Sequence, residues 1–149
     1  MHDSPSIVVR AVDAQAVIDL RHRILRTGMS REAAIFEGDH ESTTLHLAAF
    51  DAWDALVGCV TLVHRPWQAQ PAWQLRGMAV DDSLQRTGIG ARLLAEVDEQ
   101  VLADARARLL WCNARKHAVG FYERHGWQLA SPEFEIPTAG PHHKMIKHL

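Results

Sequence analysis

The sequence predicts a mixed α/β domain: a sheet of six or seven strands with about four helices on its faces. Three observations carry that class. Runs rich in Val, Leu, Thr and Trp, such as Leu56 to Arg65 and Trp73 to Val80, have the composition of buried strands. Between such runs lie stretches whose apolar residues recur at helical spacing, Val17, Leu20 and Ile24 in one and Leu93, Leu94, Val97 and Val101 in another. The chain has 149 residues, 47% of them apolar, with no linker, repeat or low-complexity stretch, which suits a single domain over residues 1–149 with its own core.

Taken in order, Ile7-Val-Val-Arg10 is a short first strand. Asp13 is a good helix cap, and the Val17 periodicity runs on to a stop at Gly28. Ser30 to Phe36 reads as a second short helix, and Glu37 to Ser42 as a polar loop. Thr44 to Phe50 alternates, with Leu45, Leu47 and Ala49 on one face; a turn through Asp51 to Asp54 joins it to Leu56 to Arg65 as a hairpin. Trp73 to Val80 is a central strand, and the helix carrying Leu93 follows Gly90. Arg108 to Cys112 is a strand, Lys116 to His125 a helix, Trp127 to Ala130 a strand, and His143 to His148 the last strand.

Composition removes several functions. The formal net charge is −2 with basic and acidic residues interleaved, so no nucleic-acid partner is expected. No run approaches the eighteen or so apolar residues of a membrane span, and Met1-His-Asp-Ser-Pro5 lacks the basic flank and apolar stretch of a signal peptide. The expectation is a cytoplasmic protein with no membrane partner. Cys59 and Cys112 form no Cys-x-x-Cys pair and read as buried free thiols. His142, His143 and His148 invite a metal reading, but neighbours on a strand point to opposite faces, so no metal site is expected.

The most informative stretch is Trp73 to Val80 followed by Gln85-Arg-Thr-Gly-Ile-Gly90: a strand turning into a glycine-rich loop that opens a helix. A helix N-terminus leaves its first backbone N–H groups without partners and carries partial positive charge. Glycines at 88 and 90 remove side chains that would hold an anion away, so the stretch is a phosphate cradle. The Walker loop needs Lys and Ser or Thr after its last glycine, where Ala91 and Arg92 stand. The dinucleotide fingerprint needs a third glycine where Leu93 stands, and an acidic residue at the end of the next strand, which reads Trp111-Cys112-Asn113.

The remaining pattern, Gln-x-x-Gly-x-Gly at Gln85, Gly88 and Gly90, resembles the pyrophosphate loop of the GNAT superfamily, the acetyl-CoA-dependent N-acyltransferases. Asn113-Ala-Arg-Lys-His-Ala-Val-Gly-Phe-Tyr-Glu-Arg-His-Gly-Trp127 resembles the superfamily's other signature. Glu133-Phe-Glu-Ile136 through Gly140-Pro-His-His-Lys-Met145 is similar to the closing strand of a subset of small bacterial members. The resemblance implies a mostly antiparallel sheet, acetyl-CoA as co-substrate, and transfer of its acetyl group to a primary amine, a small molecule or a peptide. Edge-strand pairing into a homodimer is a common route of assembly in such proteins.

The resemblance also assigns residues. The pantetheine arm of the coenzyme would bond to backbone groups of Met78, Ala79 and Val80, with Gly77 marking a bulge or the close approach of another backbone. The pyrophosphate would rest on the N–H groups of Arg86, Thr87, Gly88, Ile89, Gly90 and Ala91, with charge added by Arg86. Asn113 would contact the pantetheine arm, or else cap the following helix. Tyr122, the only tyrosine, would stand near the departing sulfur. A phenol (about 10) is a weaker acid than a thiol (about 8.5), so full proton transfer is uphill by roughly 2 kcal/mol. Either the Tyr122 pKa is lowered or the phenol mainly supplies a hydrogen bond.

A general base is harder to find. Neutralising an ordinary amine of pKa about 10.4 at pH 7 costs roughly 4.6 kcal/mol. Many relatives carry a Glu on the strand before the phosphate loop, where this chain has Gln74 and Arg76. Glu41 and His46 lead the candidates, ahead of His64 and Glu135. Two other classes compete: a non-catalytic acyl-CoA-binding or sensing module, which would keep the glycines and not need Tyr122, and a Rossmann-type nucleotide binder, disfavoured by Leu93 and the missing acidic residue.

Overall fold

The computed structural model describes residues 6–104 and 106–149, so the reading of Met1 to Pro5 lies outside the described residues. Among the described residues, eight strands and three α-helices make the expected mixed α/β class. Backbone contacts divide the chain into two units, one running up to Val63 and taking in Gly77–Val97, the other formed by His64–Arg76 and Asp98–Leu149.

In the first unit, β1 (Val8–Val12), β2 (Leu45–Phe50) and β3 (Leu56–His64) pair antiparallel in that order, and the far half of β4 (Trp73–Val80) follows β3. The β2–β3 hairpin is the predicted one, but its faces are not split into wet and dry: Leu47, Ala48, Ala49 and Phe50 are all buried. Helix α1 (Ala14–Leu25) starts where Asp13 predicts, the carboxylate accepting the Ala16 amide at 3.1 Å. It buries Val17, Ile18 and Leu20, each contributing roughly 1.5–3 kcal/mol of transfer free energy. Ser30 to Phe36 forms only a four-residue 3₁₀ turn, Arg31–Ala34, too short for the predicted helix. Helix α2 (Ile89–Asp104) buries the predicted Leu93, Leu94 and Val97.

In the second unit, the near half of β4 runs parallel to β5 (Leu109–Arg115), with Trp73, Gln74 and Leu75 opposite Leu110, Trp111 and Cys112. A parallel neighbour needs a crossover, which α2 supplies. Strand β8 (Gly140–His148) lies antiparallel to β5 and also pairs with β6 (Gln128–Leu129) and β7 (Phe134–Ile136). β7 is the strand beyond the six or seven expected, and it forms a hairpin with β8. β5 ends three residues later than predicted and passes through Asn113, so Asn113 is not a helix cap. Helix α3 (Val119–Arg124) begins after a 3₁₀ turn at Lys116–Ala118. Among the described residues no helix is long and apolar enough to cross a membrane.

Candidate active site

The loop after β4 is built by short polar contacts. Asp81 accepts the Ser83 amide at 3.1 Å and the Ser83 hydroxyl at 2.8 Å, and its other oxygen takes Arg23 at 2.9 Å. Those two bonds from Ser83, then the bond from Arg23, hold its carboxyl below the usual range. Gln85 reaches back to donate to the Val80 carbonyl at 3.1 Å, tying the loop to the end of the strand. The Thr87 hydroxyl donates to the Leu84 carbonyl. Arg86 and Gly88 both sit in the left-handed region, at φ 66° and 94°. At Gly88 an added Cβ would meet no other protein atom, so within the chain itself it is the backbone angle that calls for glycine.

Helix α2 starts immediately after, its first amide-to-carbonyl bond running from Arg92 to Gly88 at 3.1 Å, with no acidic side chain in its first turn. The amides of Gly88 to Ala91 are those a helix start leaves without intrahelical partners. Exposed backbone donors, a helix dipole and no competing carboxylate make an anion site.

The strand before the loop carries a left-handed glycine packed against a side chain. Gly77 adopts φ +62°, and a Cβ there would stand 2.8 Å from Nε of Arg21. The left-handed backbone suits glycine, and the close neighbours are a guanidinium and a ring carbon of Phe36, not a backbone. Arg21 is fully buried. It donates to both oxygens of Asp39 at 2.6 and 3.0 Å, to the Thr61 hydroxyl at 2.6 Å and to the Ala34 carbonyl at 3.1 Å, with the Phe36 ring 4.1 Å away. Burial would raise the Asp39 carboxyl, but hydrogen bonds from Arg21 and the Phe36 amide, with the Arg21 charge, outweigh it and lower the pKa. Beside Arg21, the buried Cys59 thiol is pushed up to about 12 by desolvation, so it is an inert thiol.

His46 belongs to this network. Its Nε2 faces the Asp39 carbonyl at 2.9 Å and its Nδ1 faces the Thr61 hydroxyl at 2.7 Å. A carbonyl only accepts, so Nε2 donates, and in the neutral ring Nδ1 takes the Thr61 proton. Glu41 lies exposed on the loop before β2. Arg21, Asp39 and Thr61 were missed by sequence reasoning. The signal was there for Arg21, which stands four residues after Val17 and three after Ile18, on the apolar stripe of α1.

The second unit holds Tyr122 and Asn113 on opposite faces of its strands. Tyr122 is buried, its ring edge-on to Phe121 and Trp127 at 5.3 and 5.4 Å. Desolvation, then the neighbouring Cys112, pushes the phenol well above its ordinary value. The side chains of Leu110, Cys112 and Ala114 on β5 are buried, while Trp111, Asn113 and Arg115 alternate with them and are half-buried. Asn113 lies opposite Lys144 and its Oδ1 accepts from Lys144 Nζ at 2.9 Å. The Lys144 ammonium is 5.1 Å from the Trp111 ring and 5.1 Å from the Phe134 ring.

Gln74 and Arg76 clasp each other, the guanidinium donating twice to the Gln74 carbonyl at 3.0 and 2.8 Å. His64 lies 3.5 Å from the Trp73 ring, where burial and then the Arg106 charge lower its pKa. Glu135 is exposed on β7. Among the described residues no group of three His, Cys, Asp or Glu is placed to hold a metal ion.

Residues 13–149 match the family model of the acetyltransferase (GNAT) domain. An uncharacterized N-acetyltransferase of Bacillus subtilis (strain 168), YitI, is 31% identical over 147 residues, covering 95% of each chain. Among solved structures, Escherichia coli ElaA is similar with a TM-score of 0.79 at 15% identity, over 96% of this chain and all of that one. An aminoglycoside 6'-N-acetyltransferase complexed with coenzyme A gives 0.75 at 17% identity, over 95% and 96%.

Proposed function

The chain belongs to the GNAT acetyltransferases, and from that premise we propose that it moves an acetyl group from acetyl-CoA to a primary amine by direct attack on the thioester, as one domain over residues 1–149. The observation that carries the proposal is the loop. Two left-handed residues, Arg86 and Gly88, precede a sixteen-residue helix with no acid in its first turn, and Gln85 ties the loop to the strand end. That cradle fits the pyrophosphate of coenzyme A, held by the amides of Arg86 to Ala91. The left-handed backbone at Gly77, just before Met78, Ala79 and Val80, supports the reading of those residues as the strand that bonds the pantetheine arm.

Acetyl-CoA supplies an activated acyl group. The amine nitrogen forms the C–N bond, the C–S bond breaks, and the proton lost by nitrogen ends on the sulfur. We assign Tyr122 to the departing sulfur. A phenol whose pKa is raised keeps its proton, so it serves as a hydrogen-bond donor to developing negative charge and not as the source of a fully transferred proton. Asn113 stays the proposed contact to the pantetheine arm. For the base, Glu41 keeps an exposed carboxylate. His46, with both ring nitrogens engaged, is read as a member of the Arg21 network.

Titration calorimetry with acetyl-CoA, followed by CoA release over a panel of amines, tests the proposal. Saturable binding with amine-dependent release is expected, and Gly90→Glu should abolish binding by charge and bulk. Binding without release under any amine would favour the sensing module instead.

A further inference from the structure

Resting on the acetyl-transfer reading, we propose that the acceptor is an amine that also carries an anionic group, a carboxylate or a phosphate, and that Lys144 holds that group. The two faces of the second unit differ in access. The face of Leu110, Cys112, Ala114 and Met145 is buried, with Tyr122 beside it. The face of Gln74, Trp111, Asn113 and Lys144 shares one side by register and the Trp111, Asn113 and Lys144 side chains are half-buried, so a small molecule reaching Asn113 arrives from there.

Lys144 brings an ammonium to that face, and none of the side chains that β4, β5 or β8 places there in this unit is acidic. Lys144 is the telling member. It is half-buried and flanked by the Trp111 and Phe134 rings at 5.1 Å each. One of its three donors is spent on Asn113 Oδ1, and no carboxylate among the described residues pairs with it. Other basic residues of the same unit are matched: Lys116 by Glu133 at 2.9 Å and Lys147 by Asp98 at 2.6 Å. Two aromatic faces and an amide oxygen hold the Lys144 ammonium in place without neutralising it. Its remaining donors suit a carboxylate or phosphate oxygen, and the same field repels a polycation.

The test measures kcat/KM at saturating acetyl-CoA for β-alanine, O-phosphoethanolamine, n-propylamine and spermidine, the first two telling a carboxylate from a phosphate. The account expects one of the anionic amines to exceed propylamine, and spermidine to be poorest. Lys144→Met should shrink the anionic-over-neutral ratio about 10- to 100-fold, the usual worth of a charged hydrogen bond, while Lys144→Arg keeps most of it. Unfolding midpoints of both variants check that the fold stands. Equal or better turnover of propylamine or spermidine overturns the inference, as does a ratio unmoved in Lys144→Met, or no turnover of either anionic amine by protein that binds acetyl-CoA. Failure to bind acetyl-CoA at all strikes the acetyl-transfer reading instead.

Discussion

Arg21 in the first unit and Lys144 in the second are both cations drawn out of water, and they are matched in opposite ways. Arg21 is wholly enclosed and meets a bidentate carboxylate, a hydroxyl and a carbonyl. Lys144 is half-enclosed and meets two aromatic rings and one amide oxygen. A buried charge without a counter-charge is costly, so Arg21 and Asp39 fix each other and the chain around them. A half-buried charge held in place without a counter-charge keeps its capacity to bind one. The first arrangement shapes the backbone, through the Arg21 side chain wedged at Gly77. The second offers chemistry to a ligand.

The largest expected effect breaks the first arrangement. Arg21→Met leaves the Asp39 carboxylate buried and unpaired and should cost about 3–5 kcal/mol in denaturant unfolding; a loss under 1 kcal/mol would mean that the network does not hold the fold. Lys144→Met should leave the unfolding free energy within about 0.5 kcal/mol of the parent, the range of a substitution away from core features. Tyr122→Phe comes next. With the raised phenol acting as a donor, the variant should lose about 10- to 100-fold in kcat while acetyl-CoA affinity stays level. An unchanged rate would remove Tyr122 from the chemistry.

Acid sharpens the comparison. The Asp39 pKa is depressed in the folded state, so its contribution is fully present above the unfolded carboxyl value of about 3.9 and is lost as pH falls through the lower folded value. Acid titration of stability should therefore be steeper in the parent than in Asp39→Asn, compared below about pH 4. Parallel curves would contradict the pairing. A smaller loss is expected of Gly77→Ala, about 1–3 kcal/mol from the left-handed backbone and displacement of the Arg21 side chain. Smallest is Arg86→Gly: its φ of 66° suits glycine better, so stability should rise by a few tenths of a kcal/mol. Acetyl-CoA affinity should fall only modestly, because the backbone leads the grip.

Much of this architecture is legible in local sequence. The β4 run matches its strand from Trp73 to Val80, and the Asp13 cap and the Leu93 stripe mark their helices. Local patterns state what one segment does with its own backbone, and the phosphate loop is of that kind. What they could not state was pairing at a distance. The position of Arg21 on the apolar stripe hints at burial, but its partners Asp39 and Thr61 are 18 and 40 positions away and no local pattern names them. His46 read as a base because nothing local shows that both nitrogens are engaged. Asn113 read as a strand end because the β8 partner that extends β5 lies some thirty residues on, at Lys144. The 3₁₀ turn at Arg31–Ala34 carried helix-forming residues but too few to complete stable turns.

The amide resonances of residues 86 to 91, followed by NMR as acetyl-CoA is added, test the central claim most directly. The account predicts saturable shifts largest at Arg86 to Ala91 and propagating to Met78, Ala79 and Val80. Saturation with those amides unmoved, or no saturable change at all, would contradict it.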